Sequence, residues 1–120
     1  IGMSRLARFV AKRMFPDPRH ADLRQRMLAR HSTNNQRSYI EAVNALAGWT
    51  VVDRLQRITS PTLILAADTD FTPVVEKEAY AALMPDARVA VIEDSRHISH
   101  IAQADRVNAA VVAFLTRDVG

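Results

Sequence analysis

Asp70 and His97 are the residues of this chain best placed to do chemistry. Asp70 follows the apolar run Leu63-Ile64-Leu65-Ala66-Ala67, and His97 follows the run Val89-Ala90-Val91-Ile92, 27 residues after Asp70. A carboxylate that accepts a hydrogen bond from one imidazole nitrogen holds the ring in a single tautomer and stabilises its protonated form. The other nitrogen is then free to act as a general base. Taken singly, each residue is ordinary. Asp70 stands two residues before Thr72-Pro73 and reads as a helix cap, and His97 alone reads as a loop histidine. His100 is a second-choice base, and Asp68 and Asp94 are alternative acids, read as a polar strand end and a turn residue. His20 and His31 belong to the helical half. Ser95 adjoins the histidine but has neither a strained turn nor oxyanion donors, so it is not the nucleophile. Phe71, next to Asp70, is placed to line a substrate pocket, whereas Trp49 and Tyr80 read as packing residues. No cofactor is expected. A metal site from His97, His100 and Asp94 fits no zinc spacing, so none is expected.

The two apolar runs are short and continuous, which predicts strands buried on both faces, as in parallel sheets. Between them, Thr72-Pro73 opens a helix with Glu76 and Glu78 in its first turns, where acids suit the helix dipole. Val75, Ala79 and Leu83 are its expected core side chains. After His97, Asp105 precedes Val107, Val111, Phe114 and Leu115 at helical spacing. Strand, helix, strand, helix is a βαβ unit with a right-handed crossover and parallel strands. Asp70 and His97 then leave the same, C-terminal edge of the sheet, where ligands bind in open parallel sheets. Strands lie ~5 Å apart, so the two side chains are expected within hydrogen-bonding reach.

The first 58 residues read as helical and carry no evident chemistry. Leu6, Phe9, Val10 and Met14 define an amphipathic helix over 4–14, stopped by Pro16. Asp17 and Pro18 form an N-cap and first helical residue for a helix burying Leu23, Met27 and Leu28. Ser32 to Asn35 is a loop. A third helix carries Tyr39, Ile40, Val43, Leu46 and Ala47 and ends near Gly48. Residues 49–58 form a short helix with Val52 and Leu55 facing inward.

The 120 residues suffice for one domain or part of a larger one, and 48% apolar content supports a core. No apolar run is long enough to span a bilayer. The absence of cysteine excludes disulfides and thiolate metal sites and leans the localisation toward cytoplasm. Residues 1–30 hold eight arginines and lysines against two aspartates. These bases are spread over helical segments without a binding motif, so they read as a solvated face, and neither nucleic acid nor membrane is expected as a partner.

From residue 49 to 115 the chain resembles the C-terminal part of α/β-hydrolase-fold enzymes. The segment Ile58-Thr59-Ser60-Pro61-Thr62-Leu63-Ile64-Leu65-Ala66-Ala67-Asp68-Thr69-Asp70-Phe71-Thr72-Pro73 matches the family's stretch bearing the triad acid. Ser95-Arg96-His97 with Phe114-Leu115 matches the stretch bearing the triad histidine and the helix after it. The resemblance implies Asp70 as acid and His97 as base, with residues 1–48 as a helical cap and 49–120 as the C-terminal part of the core. It implies an α/β fold, partial here: cap helices, then a β-α-β-α portion of a parallel sheet. Arg96 departs from the usual glycine, and with Phe71 and His100 is assigned to the substrate rim. Ala67 also replaces a glycine. Gly2, Gly48 and Gly120 are the only glycines, so the chain holds no G-x-S-x-G nucleophile elbow.

The expectation is therefore a C-terminal fragment of a hydrolase acting on a carboxylic ester or lactone. Its nucleophile (serine, aspartate or cysteine) is expected upstream, and the chain alone is expected to be inactive. The first residues read as an internal piece of a longer protein. The apolar strands need the missing N-terminal half, or a second copy, to cover their edges. The alternative is a non-catalytic helical and βαβ module that binds a protein partner.

Overall fold

The structure is a computed structural model, described for residues 2–117. The chain divides between Thr50 and Val51 into two compact units.

The first unit contains three helices: α1 (Met3–Met14), α2 (Ala21–Ser32) and α3 (Gln36–Leu46). Lys12 and Arg13 occupy the last turn of α1, where cations suit the dipole. Its buried residues are Met3, Ala7 and Ala11, spaced at one helical face, while Leu6 and Val10 are half-buried and Phe9 is exposed. The core seam of α1 thus runs through two alanines rather than the larger side chains, because helices approach most closely where the side chain is a methyl group. The helix gives way at Phe15, which is buried and whose carbonyl accepts from Arg24 Nη1 at 3.2 Å. Asp17 accepts from the Arg19 N–H at 2.9 Å and opens a 3-10 turn over Pro18–His20 that leads into α2. Leu23, Met27 and Leu28 are half-buried rather than buried. Asn35 caps α3 by accepting from Ser38 N–H at 3.0 Å. The chain leaves α3 through Gly48 at φ +74°, a conformation that costs L-residues ~1–2 kcal/mol. Ile40, Val43 and Leu46 of α3 are exposed.

In the second unit a 3-10 helix over Val52–Arg57 replaces the expected helix of residues 49–58. Leu55 is buried, whereas Val52 is exposed: three residues per turn put positions 52 and 55 in line, but only Leu55 meets a packing surface. Strands β1 (Thr62–Ala67) and β2 (Ala87–Ile92) pair in parallel, from Thr62 opposite Ala87 to Ala67 opposite Ile92. Burial is complete only at Ala66, Ala67 and Ile92, the end from which the chemistry-bearing loops depart. The remaining strand residues are half-buried or exposed, because the sheet has two strands among the described residues.

Helix α4 (Val74–Ala82) packs on both strands. The sequence expectation for its core face was wrong: Val75, Ala79 and Leu83 are exposed, and Val74, Lys77 and Ala81 are turned inward and half-buried. Lys77 lies on that stripe and its ammonium meets Asp70, an attraction that the spacing of apolar residues does not register. A four-residue helix α5 (Ser99–Ala102), not anticipated from the sequence, precedes α6 (Ala104–Leu115). On α6 Val107 is buried, Val111 and Phe114 are half-buried, and Leu115 is exposed.

Candidate active site

The parallel register places the ends of β1 and β2 side by side, and the two following loops are stitched together from the first residue. Asp68 N–H donates to Ile92 O at 3.1 Å, prolonging the ladder, and Thr69 donates to Ser95 O through both its N–H (3.1 Å) and its hydroxyl (2.5 Å). The Asp68 carboxylate accepts from the N–H groups of Asp94 and Ser95, each at 2.9 Å. Asp94 adopts φ +52°, the left-handed conformation that Asp tolerates better than most residues. Gln103 Nε2 donates to Asp94 O at 2.9 Å and ties the start of α6 to the same turn. The histidine loop is thus held at Asp94 and Ser95 by the aspartate loop.

This arrangement separates the two aspartates that the sequence offered as acids. Asp68 is engaged by backbone N–H groups. Asp70 reaches the imidazole, with His97 Nδ1 at 3.2 Å from Oδ1 and 3.4 Å from Oδ2. The Asp70 side chain is 8% exposed and that of His97 50%. With Nδ1–H donating to Asp70, Nε2 of a neutral ring carries the free lone pair. Asp70 Oδ1 also accepts from Phe71 N–H at 2.7 Å, and Oδ2 from the Thr72 hydroxyl at 3.2 Å. Lys77 Nζ lies 3.5 Å from Oδ2 and donates to the Thr72 carbonyl and hydroxyl oxygens. The Phe71 ring covers the imidazole, with centroids 4.3 Å apart and planes inclined by 36°.

Arg96 and His100 are exposed, His100 on α5. Ser95 is buried, and its hydroxyl donates to Arg96 O at 3.4 Å. His20 packs edge-on to Phe15, and His31 Nδ1 lies 3.1 Å from Met27 O. Among the described residues, no three His, Asp or Glu side chains cluster to hold a metal ion, and no helix is long and apolar enough to cross a membrane. The roles of Thr72 and Lys77 were missed in the sequence. The available signal was a lysine one turn into a helix whose start adjoins the acid.

Both loop aspartates titrate below the ordinary aspartate range. For Asp68 the Ser95 N–H is the largest influence; burial opposes it, and the Asp94 and Thr69 N–H groups reinforce it. For Asp70 burial acts most strongly and raises the value, but the Phe71 N–H, the His97 hydrogen bond and the charges of His97 and Lys77 together outweigh it. Each carboxyl therefore holds its proton less tightly folded than unfolded, where the value is about 3.9. Their stabilisation is fully present above that pH and is lost as pH falls through the lower folded-state values. Thermal unfolding followed across pH 6 to 2.5 is expected to show Tm falling below about pH 4. A smaller acid-side fall is expected for the Asp68→Asn variant; an unchanged profile would remove Asp68 from this role.

No protein-family model matches the chain. Over 72 residues it is 33% identical to a poly(3-hydroxyalkanoate) depolymerase of Ectopseudomonas oleovorans, covering 59% of this chain and 25% of that protein. A hydrolase from Pseudomonas aeruginosa PA01 superposes over 97% of the chain with a TM-score of 0.83 and 24% identity. The enol-lactonase from Burkholderia xenovorans LB400 does so over 96% with a TM-score of 0.86 and 23% identity. An N-acyl homoserine lactone degrading enzyme matches 87% of the chain with a TM-score of 0.68 and 27% identity. The chain spans a quarter of the curated relative and 45%, 45% and 41% of these three structures.

Proposed function

We propose, from a chain whose fold is a partial α/β-hydrolase fold, that Asp70 and His97 are the acid and base of a triad hydrolysing a carboxylic ester or lactone. The observation that carries this reading is the hydrogen bond between His97 Nδ1 and Asp70 Oδ1 at the C-terminal edge of the parallel strands. The names of the similar proteins support the substrate class: two act on lactones, and the depolymerase on a polyester. Residues 1–48 are assigned as the cap, and Phe71, Arg96 and His100 as the rim of the substrate pocket.

The nucleophile is assigned to residues outside these 120, since the chain has no G-x-S-x-G elbow and spans less than half of each similar structure. With a serine as that nucleophile, Nε2 of His97 takes the proton of the attacking hydroxyl as its oxygen bonds to the carbonyl carbon. Asp70 stabilises the imidazolium so formed. As the tetrahedral intermediate collapses and the carbon–oxygen bond to the leaving alcohol breaks, the same nitrogen returns the proton to that alcohol. Water then attacks the acyl-enzyme with His97 again as base, releasing the acid.

The test is to label the whole natural protein with a fluorophosphonate and assay it with activated esters and lactones. The expected result is turnover together with one labelled residue lying outside residues 1–120. No turnover on any ester or lactone, or a label on a residue of this chain, would overturn the reading. The 120-residue chain assayed alone is expected to give only background hydrolysis, indistinguishable from its His97→Ala variant, because nothing in it forms or stabilises a tetrahedral intermediate.

A further inference from the structure

Asp70 is nearly buried, and a neutral imidazole supplies it with one donor and no charge. An ionised carboxylate in that position needs a compensating cation or a full set of hydrogen bonds. The cation comes from α4. Lys77, its side chain 14% exposed, turns its stem inward between Val74 and Ala81 and brings Nζ to 3.5 Å from Asp70 Oδ2. The Thr72 hydroxyl donates to the same oxygen at 3.2 Å, and Thr72 in turn accepts from Lys77 through its carbonyl and hydroxyl oxygens. Oδ2 is therefore engaged from the helix side, and Oδ1 makes the shorter contact with His97.

We propose that Lys77, with Thr72 as its anchor, is a positioning residue of the Asp70–His97 pair, holding the carboxylate by Oδ2 so that Oδ1 faces the imidazole. The inference rests on the reading of that pair as acid and base. Lys77 touches neither the imidazole nor a reacting atom, and it acts through the orientation and ionisation of Asp70. A long side chain with one charge at its end is easily spared elsewhere on a helix. Here it occupies an inward position that an apolar residue would otherwise fill, next to the one carboxylate that must remain ionised. The groups that can carry positive charge beside Asp70 are the ammonium of Lys77, from α4, and the ring of His97, from the loop after β2, which is charged only when protonated.

The experiment uses the full-length natural protein in four forms: wild type, Lys77→Met, Lys77→Arg and Thr72→Val. Two quantities are read: steady-state kinetics on an activated ester, and the titration of Asp70 by carbon-13 NMR of aspartate labelled at the side-chain carboxyl. Lys77→Met is expected to lower kcat on the order of 10-fold with KM nearly unchanged, since a loosened acid misplaces the base rather than the substrate. Its Asp70 titration should move to higher pH, and Lys77→Arg, which keeps the charge, should restore part of both. Thr72→Val should shift both readouts in the same direction by less, and it decides the matter if Lys77→Met fails to fold. Wild-type kcat and an unmoved Asp70 titration in Lys77→Met, or in Thr72→Val where the first does not fold, would overturn the proposal. The NMR readout does not depend on catalysis. A His97→Ala control that retains full activity would therefore sink the acid–base reading while the Asp70 titration still judged the role of Lys77.

Discussion

Replacing His97 by alanine in the full-length protein is expected to lower kcat/KM for an ester substrate on the order of 10⁴-fold, almost entirely in kcat. Among the described residues at this edge, His97 is the histidine whose Nδ1 is held by a carboxylate, which leaves Nε2 as the basic atom. In the proposed triad, its loss leaves the proton of the nucleophile without an acceptor and the leaving alcohol without a donor. The variant should bind substrate normally, since half of the His97 side chain is open to solvent and the backbone of its loop is held by Asp68 and Thr69 rather than by the ring. His100→Ala is the control. His100 is exposed on α5 and should cost far less, through KM rather than kcat. Steady-state kinetics of the two variants side by side checks the assignment, and a larger loss at position 100 would transfer the base to that residue.

Replacing Asp70 by asparagine is expected to be nearly as damaging, lowering kcat ~10³- to 10⁴-fold while the fold is retained. Two effects add. The amide carries no charge, so the imidazolium formed in the transition state loses its counter-ion. The amide can also turn its NH2 toward Nδ1, which pushes the ring proton onto Nε2, where the lone pair is required. Lys77 and the Thr72 hydroxyl draw the amide oxygen to the Oδ2 position and so favour this turn, while the Phe71 N–H at 2.7 Å draws it to the Oδ1 position and opposes it. Asp68→Asn provides the contrast: an amide there retains one acceptor for the loop N–H groups and does not reach the imidazole, so its kcat should fall less than 10-fold. The same assay on the two asparagine variants distinguishes the acid from the loop clamp. Equal losses would mean that the geometry of the loop, rather than the identity of the acid, limits the rate.

Much of this organisation was legible in the residues. Continuous apolar runs bounded by Pro61 and by polar residues placed both strands, although the burial on both faces that such runs imply is reached only at Ala66, Ala67 and Ile92. Their parallel pairing followed from the helix between them, and parallel pairing brings Asp70 and His97 to one edge. Pro16, Asp17 and Gly48 marked helix ends through local backbone chemistry that needs no tertiary context.

Other features were invisible for identifiable reasons. The sequence named Asp70 over Asp68 as the acid, but not what Asp68 does: its carboxylate takes the N–H groups of Asp94 and Ser95, contacts 26 and 27 residues apart that arise only once the two loops pair. The inward face of α4 was misjudged because apolar spacing ranked Val75, Ala79 and Leu83 above a stripe containing a lysine, whose burial only Asp70 and Thr72 explain. The buried seam of α1 passes through Ala7 and Ala11 because close helix contact rewards small side chains, whereas hydrophobicity alone pointed to Leu6, Phe9 and Val10. The sequence alone therefore determined the elements, their order and the edge at which a carboxylate and an imidazole meet, since these follow from local periodicity and chain connectivity. Tertiary structure alone decided what the Asp68 carboxylate holds and which cation stands behind Asp70, since both depend on contacts between segments that the chain brings together only on folding.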